Sequence, residues 1–128
     1  MNDMESQDSP ASTQLRPAAV ARDVAILWVL TLIGGFVAGV AGAAPGTPRF
    51  AAAILVSNTL LGIIGFIISG CLVGGRRWKH LFVVAVILWI TSLINIFFGV
   101  TLMQWAFGII AGLIFMAIGG GISYLFRK

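Results

Sequence analysis

Residues 81–126 form a run of 46 positions without one charged side chain. As a single helix the run would extend about 69 Å, more than twice the roughly 30 Å hydrocarbon core of a bilayer. Nor could a soluble domain enclose it. Across the 128 residues 59% are hydrophobic and 9% charged, whereas a soluble domain carries about a quarter charged residues. The run must therefore fold back inside a membrane, and Gly99-Val100-Thr101 offers the break. Helices are expected near 81–98 and 103–125.

Two further apolar stretches precede it. Residues 24–43 are long enough to cross the hydrocarbon core, and Pro45-Gly46-Thr47-Pro48 ends that stretch in a turn. Residues 51–73 make the next span and stop at Gly74-Gly75-Arg76-Arg77. Ala41-Gly42-Ala43 resembles a small-residue cleavage site. The apolar stretch before it exceeds the roughly 7–15 residues of a signal peptide, and its leader carries acids, so a retained first span is the better reading. Residues 1–23 are polar and are read as a disordered tail that turns helical after Pro17. The expected fold class is all-α: an integral membrane bundle of four transmembrane helices over residues 24–128.

The charges orient the bundle. An even number of spans puts Arg16, Arg22, Arg76, Arg77, Lys79, Arg127 and Lys128 on one side and only Arg49 on the other. Lysine and arginine collect on the cytoplasmic side of membrane proteins. Both termini are therefore expected to be cytoplasmic, in a multi-pass protein of a cell inner membrane of bacterial type. The exposed loop of Arg76, Arg77 and Lys79 is expected to meet anionic headgroups. The net charge of +4 does not point to nucleic acid, because the basic residues sit at span ends and form no single patch.

Helices in lipid associate through close packing and hydrogen bonds, which small residues at four-residue spacing permit. Gly35 and Gly39 in the first span, followed by Ala43, Gly70 and Gly74 in the second, and Gly108 and Gly112 in the fourth are the expected contact positions. The third span is bulky and should cover the other three. Polar residues inside spans point to function or to interhelical bonds. Asn58 in the second span, Thr91, Ser92 and Asn95 in the third, and Gln104 opening the fourth form the candidate polar cluster.

Several chemistries lack their residues. None of the expected spans contains Asp, Glu, Lys or Arg, which disfavours ion-coupled carriers. Asp23 reads as a charge at the start of the first helix. His80, the single histidine, reads as an interfacial residue, without the companions a metal site needs. Cys71 is the single cysteine, so no disulfide forms within the chain. Nucleophile, base and orienting group converge nowhere. The expectation is a non-enzymatic protein without catalytic residues, metal or cofactor. Its role would be structural, accessory or partner-binding, with the lipid bilayer, copies of itself or a larger membrane protein as partners. The alternative is a small oligomeric channel or facilitator for an ion or small solute.

Overall fold

The computed structural model describes residues 15–42 and 44–126. The expected tail up to residue 14, Ala43 in the first small-residue row, and Arg127 and Lys128 lie outside the described residues. The rest is helical: α1 Pro17–Val40, α2 Pro48–Leu72, α3 Arg77–Thr91, which continues as a 3-10 segment Ser92–Phe98, and α4 Leu102–Ser123. Four helices are thus long and apolar enough to cross a membrane.

Local chemistry sets their ends. Pro17 and Pro48 each occupy the first turn of a helix, where the missing N–H costs nothing. The Thr47 hydroxyl caps α2 by accepting from the Phe50 amide at 3.2 Å. Thr101 and Gln104 form a reciprocal capping box at the start of α4, with bonds of 3.0 and 3.2 Å. Toward the end of α3 the hydroxyls of Thr91 and Ser92 donate to the carbonyls of Leu88 and Trp89 at 3.0 and 2.6 Å. The chain tightens there into the 3-10 segment, and Gly99 at φ +96° turns it back. The charge-free run breaks where the sequence places the break.

Two helices start before their apolar spans. α1 begins at Pro17, where the tail is expected to turn helical, seven residues ahead of residue 24. α3 begins at Arg77, four residues before the expected start. Both differences have one cause: the polar residues at these starts turn inward, and the apolar face of each helix continues past them.

The helices run up and down, in the order α1, α2, α4, α3 around the bundle, with α2 facing α3 and α1 facing α4 across the diagonals. The N-terminal end of α1, the link between α2 and α3, and the C-terminal end of α4 share one end of the bundle. The buried core lies mostly in that half: Val20, Val24, Leu27, Phe66, Leu81, Val84 and Ala85. The outer surface is apolar, with Leu32, Phe36, Leu55, Phe97 and Leu102 all more than half exposed. That surface suits hydrocarbon and would be an aggregation liability in water.

The glycine contacts differ from those expected. α2 and α4 meet backbone to backbone at Gly119, where a Cβ would fall 2.7 Å from the Ile63 carbonyl oxygen and 2.6 Å from Phe66 Cβ. Gly65 gives way to Leu27 of α1, and Gly70 to Ser123 of α4. Of the other expected positions, Gly35, Gly39, Gly74 and Gly112 have open space before them, and Gly108 meets Trp89 only at ordinary contact distance. The close approaches therefore use mostly other glycines than the four-residue rows. Between α3 and α4, Trp89 and Trp105 stack at 4.3 Å between centroids. Each indole N–H donates to the other residue's carbonyl, at 2.8 and 3.0 Å.

Candidate functional site

Polar side chains collect in two layers inside the bundle. The first lies at the end shared by the termini. Asp23 is fully buried. Its Oδ2 accepts from the Ser69 hydroxyl at 2.5 Å and lies 2.9 Å from His80 Nε2. Its Oδ1 accepts from Arg22 Nε at 2.7 Å. One carboxylate thus joins α1, α2 and α3. An ionised Asp23 requires the His80 proton on Nε2, either in that neutral tautomer or in the imidazolium. Arg77 lies one turn before His80 on the same face of α3. Its Nη1 donates to Ser123 Oγ at 3.1 Å, and its Cζ stands 4.0 Å from the centre of the Tyr124 ring. Ser123 donates onward to the Gly120 carbonyl at 2.6 Å. Arg77 Nε is buried without a partner among the described residues.

Three expectations change here. Asp23 is not a solvated charge at a helix start; it sits inside α1. His80 is not interfacial but 4% exposed and held by Asp23. Arg77 is not free for headgroups with Arg76 and Lys79, because it is turned inward at 6% exposure. Ionisable side chains do therefore lie within the helices that match membrane spans. A signal for this was present in the sequence. Arg77, His80, Leu81, Val84 and Ala85 follow the three- and four-residue spacing of a buried helix face, and Asp23 lies one turn before Leu27.

The second layer is a chamber of about 240 Å³ lined by all four helices. Thr31, Asn58, Ser92 and Asn95 supply its polar groups, and Leu27 and Phe66 close it on the side of Asp23. Asn58 and Asn95 face the same space but form no hydrogen bond with each other. Asn58 Oδ1 is turned to Gly34 of α1, where a Cβ would stand 3.1 Å from it, and is buried without a partner among the described residues. Thr31 donates to the Leu27 carbonyl at 2.8 Å, and Ser92 is satisfied within α3. The other two members of the expected cluster lie elsewhere. Thr91 accepts from Trp28 Nε1 at 3.0 Å on the outer flank, and Gln104 caps α4 in an exposed position.

The two layers nearly touch. Leu27 follows Asp23 by four residues and Phe66 precedes Ser69 by three. About one helical turn, roughly 5.4 Å, therefore separates the chamber floor from the carboxylate. The arrangement can hold a small polar molecule or a few waters against Asn58, and it can exchange a proton between Asp23 and His80. Among the described residues no group of three His, Cys, Asp or Glu side chains comes together as a metal site. No protein-family model matches this chain, and neither a curated protein nor a solved structure shows detectable similarity to it.

Proposed function

We propose that this chain is a non-enzymatic, multi-pass protein of a bacterial inner membrane that works as a facilitator for an ion or small polar solute, with both termini cytoplasmic. One observation carries the reading: a fully buried aspartate held by a histidine, one helical turn below a polar chamber. Ionisable residues inside membrane bundles are rare and costly, and they mark ion paths and proton relays. Protonation of Asp23 removes the charge that draws Ser69 and His80 together. The Leu27 and Phe66 barrier is then free to part, which would connect the chamber to the end shared by the termini. The orientation is supported by the sequence, in which an even number of spans puts seven basic residues on the side of the termini against Arg49 on the other.

A second reading, an accessory or partner-binding membrane protein, draws on the outer face of α1. Gly35 and Gly39 have open space before them, beside exposed Leu32 and Phe36. Another transmembrane helix, from a second copy or a larger membrane protein, could approach closely there.

Flux measurements decide between the two. Protein in liposomes is tested for passage of protons, alkali cations and small neutral solutes, beside Asp23→Asn and Asn58→Leu. The facilitator reading expects flux well above that of empty liposomes that rises as the pH is lowered, and flux that no longer responds to pH in Asp23→Asn, whose neutral amide stands in for the protonated carboxyl. Flux at background level for every solute, with a partner that dissociates in a Gly35→Leu, Gly39→Leu double variant, would replace it by the second reading. Reporter fusions at Gly75 and Gly46 test the orientation independently.

A further inference from the structure

We infer that the flank between α1 and α3 is a binding site for an anionic glycerophospholipid, with an acyl chain in the groove and the phosphate at Arg76 and Lys79. The groove encloses about 800 Å³ and is formed by Val20, Val24 and Trp28 of α1 with Val83, Ile87 and Thr91 of α3. It runs alongside α1 from Pro17 to Val29. Twelve residues of rise give about 18 Å, close to the roughly 15 Å depth of one leaflet's hydrocarbon. The groove thus opens at headgroup level and ends near the bilayer midplane.

Its lining matches an acyl chain. The polar groups at its deep end are already engaged: Trp28 Nε1 donates to Thr91, and Thr91 donates to the Leu88 carbonyl. Nothing in the groove asks for a polar ligand. A bundle in lipid cannot leave such a space empty, because the bilayer's own chains are the solvent around it.

The mouth matches a phosphate. Lys79, Val83, Ile87 and Thr91 repeat at four-residue spacing, so Lys79 stands one turn above the groove wall on the same face of α3. Arg76 is the N-cap of α3 and Arg16 the N-cap of α1. Arg76 and Lys79 are exposed and make no side-chain hydrogen bond or ion pair among the described residues. Both stand at the first turn of α3, whose free N–H groups favour an anion. The one described acid, Asp23, is buried and already paired, so among the described residues no carboxylate stands at the mouth. Charge and shape together favour an anionic lipid over a zwitterionic one and over a partner's apolar helix.

The cytoplasmic leaflet as the source of this lipid rests on the orientation proposed above; the binding itself does not. Purified protein in detergent is titrated with dioleoyl phosphatidylglycerol and, separately, with dioleoyl phosphatidylcholine, and bound lipid is counted by native mass spectrometry. The expected result is one phosphatidylglycerol held in preference to phosphatidylcholine. Arg76→Gln and Lys79→Gln should each reduce that preference about fivefold, the equivalent of the roughly 1 kcal/mol that a basic residue contributes at an anionic surface. Both side chains are exposed, so these variants keep the fold. Ile87→Trp, which fills the groove, should lower retention of both lipids, whereas Ile114→Trp on the outer face of α4 should not. Equal retention of the two lipids, insensitive to Arg76 and Lys79, overturns the inference. So does a second polypeptide held in place of lipid and lost in Ile87→Trp. A reversed orientation in reporter fusions would move the site to the other leaflet and leave these titrations unchanged.

Discussion

Replacing Asp23 by alanine removes one carboxylate and strands two buried partners. Ser69 and His80 are 1% and 4% exposed, so water cannot take the place of the lost acceptor. Interhelical hydrogen bonds in membranes average about 0.6 kcal/mol, and two such bonds cross from Asp23 to other helices, which alone would give about 1 kcal/mol. The stranded groups argue for more. A buried donor without a partner costs about 1–3 kcal/mol, and removing one member of a buried ion pair costs about 3–5 kcal/mol. The larger figures should prevail, because Ser69 and His80 are buried and neither has another side-chain acceptor among the described residues. The expected loss is about 3 kcal/mol. Replacing the whole network at once, as Asp23→Leu with Ser69→Ala and His80→Leu, leaves nothing stranded and should return stability to within about 1 kcal/mol of the parent. Unfolding of the purified protein in mixed micelles of mild detergent and dodecyl sulfate, followed by tryptophan fluorescence, measures both. A loss below about 0.6 kcal/mol for Asp23→Ala, or a triple variant as costly as the sum of its single changes, would refute the argument that stranded partners set the cost.

Gly119→Leu should destabilise the bundle by about 1–3 kcal/mol or more, since its side chain would press into the Ile63 carbonyl, whereas Gly35→Leu should change stability by less than about 0.5 kcal/mol; the same unfolding assay compares them. Asn58→Leu removes an acceptor that has no partner, so it should leave stability unchanged or raised in that assay while reducing any flux seen in liposomes. Thr101→Ala takes away the hydroxyl half of the α4 capping box and should cost about 1 kcal/mol, with faster amide exchange at Gln104. Trp89→Phe and Trp105→Phe each delete one of two reciprocal bonds; a double-mutant cycle should show coupling of about 0.5–1.5 kcal/mol from the stacked pair.

Much of the fold is legible in the sequence because length and charge act at long range. A run without charge that is twice too long for a bilayer must turn, and Gly99 is where it turns. The inner polar layer was harder to read, for a reason of scale. Hydropathy marks where a helix meets hydrocarbon, not where its first turn begins, and both Asp23 and His80 fall one residue outside the apolar windows. Only the spacing of Arg77, His80, Leu81, Val84 and Ala85 betrays that the turn containing His80 faces inward. The chamber residues Asn58, Ser92 and Asn95 were recognisable as polar groups in apolar spans. Thr91 was not separable from them, because neighbours one residue apart point about 100° apart and the helix rotation is set by tertiary packing. Which glycines are used also depends on that rotation, and four-residue spacing alone does not fix it.

The tightened end of α3 also sets a length. Its 15 α-helical residues and 7 residues of 3-10 helix span about 36 Å, because each 3-10 residue advances about 2.0 Å against 1.5 Å in an α-helix. α1, with 24 residues, and α2, with 25, reach about 36 and 38 Å at the α-helical rise. A wholly α-helical third span of the same sequence would reach about 33 Å, about 3 Å short of α1 and about 5 Å short of α2. Stretching the last turns brings the third span level with the first two without a single added residue.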